Sequence, residues 1–214
     1  MKLVLASKNP HKLVEMQTIL GQMGLEVVLE SDVGVDVEVE ETGTTFEENA
    51  LLKAKAVMEA SGMAAIADDS GLMVDALGGE PGVYSARYGG KDSDAARTAF
   101  LLENMREVPE DRRTARFVSA IACALPDGRV VQARGACEGT ILFHTQGDNG
   151  FGYDPVFYVP EIGMTFAEAD GEKKNAISHR GNALKKFIQA WKEAGICCPA
   201  SSALSSAPRP IPWK

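Results

Sequence analysis

Short apolar segments alternate with helical patterns along the first half of the chain, and this alternation most constrains the fold. Segments 2–6, 26–29 and 64–67 read as strands, and helical patterns begin at Pro10 and Phe46. Two longer apolar segments, 115–125 and 130–142, flank the turn 126–129 and predict a hairpin. Strands and helices in this order predict an α/β fold, with a long mixed β-sheet flanked by helices.

The remaining segments complete one domain and add a tail. Ser93 is placed to cap a helix that runs to about Met105, a short strand is expected at 156–159, and Ser178 is placed to cap the last helix. From Cys197 onward the composition changes to Pro, Ser and Ala. We therefore expect a catalytic domain over residues 1–196 and a flexible tail over residues 197–214.

Charge and hydropathy exclude several classes of protein. The 214 residues carry 22 basic and 30 acidic side chains, a net charge of −8, which opposes a nucleic-acid-binding function. No apolar run reaches the roughly 20 residues of a membrane span, and the apolar start is too short for a signal peptide. The four cysteines lack CxxC spacing, which indicates free thiols in a cytoplasmic protein, although Cys123 and Cys137 could face each other across the hairpin.

Acidic residues indicate a metal site. Asp68 and Asp69 directly follow the third strand, and Glu41 lies in an acidic loop before the second helix. Mg²⁺ binds to proteins through one or two carboxylates while phosphates and waters complete its shell. The alternative is that Asp68–Asp69–Ser70–Gly71 forms a solvated turn.

Basic residues near the same sheet edge indicate a phosphate site. Lys12 lies in the first turn of the first helix, and Lys53 lies one to two turns into the second. Helix N-termini attract phosphate, and lysine adds a compact charge. Each lysine taken singly could equally be a solvated surface charge, and the segment 7–12 lacks the glycines of a Walker loop.

A glycine-rich aromatic segment indicates a base-binding site. Segment 150–155, Gly-Phe-Gly-Tyr-Asp-Pro, lets the backbone approach a ligand closely, so that a purine could stack on Phe151. His179 and Arg180, at the start of the last helix, could then read the edge of the base. The alternative is that Phe151 and Tyr153 are core aromatics beside a turn. Zinc-site spacing and a serine-hydrolase elbow are both absent from the sequence.

Six segments in register resemble the inosine triphosphate pyrophosphatase family, also called XTP/dITP diphosphatases. The matching residues are Ser7-x-Asn9-x-x-Lys12, segment 41–54 (Glu-Thr-Gly-x-x-Phe-x-Glu-Asn-Ala-x-x-Lys-Ala), segment 67–72 (Ala-Asp-Asp-Ser-Gly-Leu), segment 81–88 (Pro-Gly-Val-Tyr-Ser-Ala-Arg-Tyr), segment 150–157 and segment 174–181. Their order agrees from Lys2 to about Gly195, whereas the tail matches nothing in the family.

The resemblance implies a homodimer whose subunits have two lobes with the active-site cleft between them. It also implies hydrolysis of ITP, dITP or XTP to the monophosphate and pyrophosphate, with Mg²⁺ as cofactor and Mn²⁺ as a substitute for it. By resemblance, Glu41 and Asp69 bind the metal, Asp69 accepts the proton of water, and Lys53 and Asp68 assist. The residues implied to bind substrate are Ser7, Lys8, Asn9, Pro10, His11, Lys12, Ser70, Phe151, Gly152, Tyr153, Asp154, Lys174, His179 and Arg180.

Three other functions compete with this interpretation. The same cleft could serve a non-catalytic nucleotide-binding module, or a Mg²⁺-dependent pyrophosphatase that acts on damaged pyrimidine nucleotides. A purely structural α/β protein fits less well, because many polar residues collect at one sheet edge. The residues alone also leave open whether Asp68 or Asp69 accepts the proton, since a carboxylate bound to a metal is less basic.

Overall fold

A computed structural model describes residues 1–196 and contains one seven-stranded mixed sheet, which confirms the predicted α/β class. The spatial order is β2-β1-β3-β4-β5-β6-β7, with β1 parallel to β2 and β3 and all later pairs antiparallel. The strands are β1 Lys2–Leu5, β2 Glu26–Leu29, β3 Ala65–Val74, β4 Thr114–Ala124, β5 Val130–Ile141, β6 Phe157–Val159 and β7 Met164–Thr165.

Five α-helices accompany the sheet in the described part of the chain. They are α1 Pro10–Leu20, α2 Phe46–Ser61, α3 Asp94–Asn104, α4 Gly171–Ile177 and α5 His179–Glu193. Side chains of a strand alternate between the two faces of a sheet, so neighbouring residues of β1 enter different cores. Leu3 and Leu5 pack with α1 and α5, whereas Val4 packs with α2 on the opposite face.

A third apolar cluster lies at the other end of the long strands. Phe117 of β4, Phe157 of β6 and Phe166 pack there with Leu101 of α3. The cluster contains no residue of α1, α2 or α5. A cleft between two lobes stays a prediction, but the core does divide between the two ends of the sheet.

Close contact between α5 and β5 sets the position of the residues that begin α5. A Cβ added to Gly135 would lie 2.2 Å from the backbone nitrogen of Ala183. Only glycine permits this approach, because any side chain here would push the helix away from the sheet. The start of α5, with His179 and Arg180, is therefore held directly over the middle of the sheet.

The structure corrects several predictions about individual elements. The third strand does not end at 67 but continues to Val74, because ten consecutive residues pair with β4; the solvated-turn interpretation of Asp68 and Asp69 is therefore wrong. The helical spacing of the apolar residues in α1 would place Val14 toward the core, but this side chain is 61% exposed. The short elements β7 and α4 were not predicted.

The structure tests the predictions about Cys123 and Cys137 but not those about Cys197 and Cys198. Cys123 and Cys137 are free thiols, but they do not face each other, because Cys123 lies opposite Val131 and Cys137 lies opposite Phe117. The predicted tail, with Cys197 and Cys198, lies outside the described residues. Within residues 1–196, every helix is too short or too polar to traverse a bilayer.

Candidate active site

The largest concentration of predicted site residues surrounds one cleft of about 520 Å³. It lies where α1, α2 and α5 begin or approach the middle of the sheet and where segment 150–154 faces them. Of the residues predicted to act in binding or catalysis, all line this cleft except Pro10, Asp68, Asp69 and Lys174. Asp68, Asp69 and Lys174 pair with residues that line the cleft, and Pro10 lies between the lining residues Asn9 and His11 in the chain.

Lys53 joins the two predicted metal-binding carboxylates. Its Nζ lies 2.7 Å from Oε1 of Glu41 and 2.6 Å from Oδ1 of Asp69. The helix that carries Lys53 is fixed at its start, because the Thr45 side chain accepts a hydrogen bond from the Glu48 backbone in a capping box. A loop, a helix and the middle of a strand thus place three charged side chains at one point.

The three charged side chains at this point shift one another's pKa values. Burial raises the pKa of Asp69, and Lys53 only partly opposes that rise. Burial alone would also raise the pKa of Glu41, but hydrogen bonds from Lys53 and Arg87 lower it overall. For Lys53, burial would lower the pKa, yet Asp69 and Glu41 raise it overall. Lys53 is therefore charged at neutral pH.

The Asp68 side chain points to the face of β3 opposite to that of Asp69, and protein groups bind both of its carboxylate oxygens. Its carboxylate lies 2.9 Å from Lys12 Nζ and 2.9 Å from Arg180 Nη2. The hydroxyls of Ser70 and Ser119 donate to it as well, at 3.0 and 2.5 Å. Burial would raise the pKa of Asp68, but Arg180 and Lys12 hold it well below its usual range. Asp68 is thus an ionised anchor for two cations.

The loop between β1 and α1 is shaped by its own polar side chains. Asn9 Oδ1 accepts a hydrogen bond from the His11 backbone at 2.9 Å, and Pro10 occupies the first helical position, where no backbone N–H is required. Ser7 accepts from the Asn9 backbone at 3.2 Å. Lys8 lines the cleft but pairs with exposed Asp36 at 2.6 Å.

Lys12 is the half-buried cation of this loop and helix. Besides the Asp68 carboxylate, its Nζ reaches the Asp68 carbonyl oxygen at 3.1 Å. Burial lowers the pKa of Lys12, and Asp68 only partly opposes this effect. Lys12 and Lys53 approach the same strand from α1 and α2, so the structure brings together the two lysines that the sequence placed on separate helices.

Segment 150–154 is held by hydrogen bonds from within and from behind. Asp154 Oδ2 accepts from the Phe151 backbone at 2.9 Å and from Lys174 Nζ at 2.7 Å. A Cβ on Gly150 would lie 2.1 Å from the same oxygen, at a φ of +79°, so only glycine fits there. The Tyr153 hydroxyl donates to the Ser85 carbonyl at 2.8 Å, and Gly152 lines the cleft.

His179 and Arg180 lie at the apolar wall of the cleft. The His179 ring stacks on Phe117 at 4.8 Å, and its Nδ1 is buried without a hydrogen-bond partner. Burial, reinforced by Arg180, holds the pKa of His179 well below its usual range, so the ring is neutral. The Nε atom of Arg180 is likewise buried and unpaired. Both residues line the cleft, so these unpaired nitrogens lie next to the space that a ligand would fill.

Three residues of the site were not singled out as functional from the sequence. Glu15 pairs with Arg180 and, at 3.6 Å, with Lys174. It lies one turn after Lys12 on α1, so helical spacing was a usable signal. Arg87 donates to Glu41 Oε2 at 3.1 Å, and Asp94 accepts from the Gly152 backbone at 2.7 Å. No spacing rule links those two pairs, which are far apart in the chain.

The donor set at Lys53 is consistent with a divalent cation. Oxygens of Glu41 and Asp69 both lie within hydrogen-bond distance of one cationic atom, Lys53 Nζ, so they already converge on a positive charge. Residues 1–196 contain no cluster of three or more His, Cys, Asp or Glu side chains suited to a metal. Two protein carboxylates are what Mg²⁺ uses when phosphates supply the remaining ligands.

Known proteins are similar to this chain over most of its length. The model of the Ham1 family matches residues 3–190. A relative from Desulforamulus reducens, named dITP/XTP pyrophosphatase, is 54% identical over 88% of this chain and 94% of its own. One from Thermus thermophilus with the same name is 51% identical over 90% and 93%. A Coxiella burnetii HAM1 structure is 42% identical with a TM-score of 0.82, covering 90% of this chain and 99% of its own.

Proposed function

This chain belongs to the Ham1 family and is a pyrophosphohydrolase, and we propose that it hydrolyses non-standard purine nucleoside triphosphates. The substrates would be dITP, ITP and XTP, and the products the monophosphate and pyrophosphate. Names of relatives at about half identity support the substrate class. The reaction would remove unwanted nucleotides from the pool of precursors.

The observation that carries the proposal is the convergence of Glu41, Asp69 and Lys53 beside Lys12. A triphosphate needs cations along its length, and a reacting phosphate needs a carboxylate near the attacking water. Two carboxylate oxygens and two half-buried lysines in and beside one cleft supply both requirements. Glu41 and Asp69 would hold Mg²⁺, or Mn²⁺ in its place, and the ion would neutralise phosphate oxygens when bound.

The lysines would stabilise the negative charge that builds up on the phosphates. Water that attacks a phosphorus of a polyanion is repelled by its oxygens, so fixed cations lower the barrier. Lys53, at the floor of the cleft, and Lys12, at the start of α1, are placed for this role. Ser7 and Asn9 would orient the phosphates from the loop before α1.

Asp69 is the better candidate for the proton acceptor. Asp68 already accepts hydrogen bonds from two cations and two hydroxyls, and its low pKa makes it a weak base. Asp69 Oδ1 is bound by Lys53, whereas its Oδ2 has no hydrogen-bond donor among residues 1–196. The uncommitted oxygen of Asp69 could accept a proton from water while its other oxygen faces the proposed metal site.

The far end of the cleft would select the base. The Phe151 ring offers a stacking surface, and His179 and Arg180 present buried polar atoms without partners. Hypoxanthine and xanthine present an oxygen acceptor at position 6, where adenine presents an amino donor. Donors in the wall would therefore favour the non-standard bases, since each buried donor left unpaired costs about 1–3 kcal/mol.

Other features belong to the proposal through the sequence analysis, and two of them, the dimer and the two lobes, through the family resemblance alone. They are a cytoplasmic homodimer, subunits of two lobes with the cleft between them, a catalytic domain over residues 1–196, and no nucleic-acid or membrane partner. Size-exclusion chromatography with light scattering measures the subunit number directly. These features do not enter the chemistry argued above.

A panel of nucleotides tests the activity. Release of pyrophosphate, coupled to an inorganic pyrophosphatase, would be measured for ITP, dITP, XTP, ATP, GTP and damaged pyrimidine triphosphates, with and without Mg²⁺. We expect turnover of the non-standard purines that depends on Mg²⁺. Preference for the pyrimidines would favour the second pyrophosphatase class, and binding without turnover would favour a nucleotide-binding module.

A further inference from the structure

One contact at the mouth of the cleft is not explained by phosphate binding. The His11 ring, in the first turn of α1, stacks on the Phe151 ring with 5.2 Å between centroids and 17° between planes. By resemblance His11 belongs to a segment that holds the triphosphate. Its ring instead faces the aromatic surface on which a base would stack.

Both backbones behind this stack are fixed by local hydrogen bonds. The His11 backbone nitrogen donates to Asn9 Oδ1 at 2.9 Å, and the Phe151 backbone nitrogen donates to Asp154 Oδ2 at 2.9 Å. The His11 side chain itself is exposed, so its ring can turn without disturbing the core. The stack therefore joins a movable ring on α1 to a fixed ring on segment 150–154.

The surroundings of Phe151 distinguish this end of the cleft from the phosphate end. Lys174 Nζ lies 4.8 Å from the centre of the ring, and the Arg180 guanidinium carbon lies 5.9 Å from it. The phosphate-end cation, Lys53, instead contacts Glu41 and Asp69. A ring beside Phe151 is thus placed to meet a flat base rather than a phosphate chain.

We propose that His11 is the second aromatic wall of the base site, so that the base is held between His11 and Phe151. This inference rests on the proposed function, because it assigns a residue to the base of the same substrate. The two rings cover each other and keep part of the apolar surface of Phe151 from water. Stacked atoms approach to about 3.5 Å, so a base between the rings requires their planes to lie roughly 7 Å apart. Rotation of the exposed His11 side chain provides that space.

The proposal predicts a difference between ligands with and without a base. Stacking of one base on one aromatic side chain changes affinity by roughly tenfold, with little dependence on base identity. His11→Ala should therefore weaken binding of inosine monophosphate about tenfold and leave inorganic tripolyphosphate within about twofold of the wild type. His11→Phe should retain the affinity for inosine monophosphate, because a phenyl ring also stacks.

The test is isothermal titration calorimetry of both ligands with the full chain, its His11→Ala and His11→Phe variants, and His144→Ala as the control. His144 is also an exposed histidine, but it does not line the cleft. Equal weakening of both ligands by His11→Ala would overturn the proposal in favour of phosphate binding. Unchanged binding of inosine monophosphate would overturn it in favour of a packing contact. A wild-type chain that binds tripolyphosphate but no purine nucleotide would contradict the proposed function itself.

Discussion

Arg180 Nη2 donates a hydrogen bond to Asp68 Oδ2 over 2.9 Å, and both residues are 1% exposed. The pair joins the first turn of α5 to the middle of β3, and thereby fixes the start of α5 relative to the sheet. Lys12 shares the same carboxylate from α1. One buried anion thus orients cations from two helices.

Replacing this anion should destabilise the fold. Asp68→Asn leaves Arg180 and Lys12 buried without their carboxylate, and breaking a buried ion pair costs about 3–5 kcal/mol. Urea denaturation at pH 7 measures the loss in the free energy of unfolding. Asp92→Asn, at an exposed position, is the matched control and should change it by less than about 0.5 kcal/mol. A loss below about 1 kcal/mol for Asp68→Asn would contradict the anchoring role.

Substitution of the neighbouring residue, Asp69, should reduce activity strongly and stability little. Asp69→Asn removes a buried carboxylate whose pKa is raised by burial, so it should cost little stability. Loss of the proton acceptor should lower kcat for ITP by about 10²–10⁴-fold. Steady-state kinetics and urea denaturation on the same preparation separate the two effects. A nearly wild-type kcat would rule out Asp69 as the base.

Lys53 should compete with a metal ion for its two carboxylates. Removing its positive charge in Lys53→Gln should tighten the binding of Mn²⁺ to the nucleotide-free protein severalfold, because Glu41 and Asp69 lose an ionic partner. The same variant should lower kcat, because the phosphates lose a cation. Electron paramagnetic resonance of free Mn²⁺ gives the dissociation constant. Lys55→Gln, two residues along the same helix and exposed, is the control.

His179 should make the fold sensitive to mild acid. Burial holds the pKa of His179 well below its usual range, so the unfolded chain binds this proton first, near pH 6.5. The stability contributed by the neutral ring is therefore present above pH 6.5 and is lost as the pH falls below it. One proton gives a slope of at most about 1.4 kcal/mol per pH unit. His179→Phe should remove this slope between pH 6.5 and 5.5 in urea denaturation, whereas an unchanged slope would assign it to other groups.

The same residue should contribute to the choice of base. His179→Phe keeps an aromatic ring against Phe117 but removes the ring nitrogens. We expect the ratio of kcat/KM for ITP over ATP to fall by about tenfold, since one unpaired donor costs about 1–3 kcal/mol. Parallel kinetics with both nucleotides give the ratio. If it does not change, the base is read by Arg180 or by main-chain groups.

Much of the fold could be predicted from local pattern. Alternating strands and helices, the caps Ser93 and Ser178 and the hairpin at 126–129 all lie where the sequence placed them. These features depend on residues close together in the chain, so short-range spacing is sufficient to identify them. The continuation of β3 through Asp68 and Asp69 could not be found in this way, because acidic residues in a strand are normally read as its end.

The sequence by itself determined the α/β class, the family, and the chemical types present in and around the cleft: lysines, carboxylates, an aromatic segment, and the pair His179 and Arg180. Only the tertiary structure decided which of the charged groups pair with one another. Successive residues of a strand point to opposite faces, so Asp68 is enclosed by Arg180 and Lys12 while Asp69 meets Lys53 and Glu41. That division, like the stack of His11 on Phe151, depends on contacts between residues distant in the chain, which no local spacing encodes.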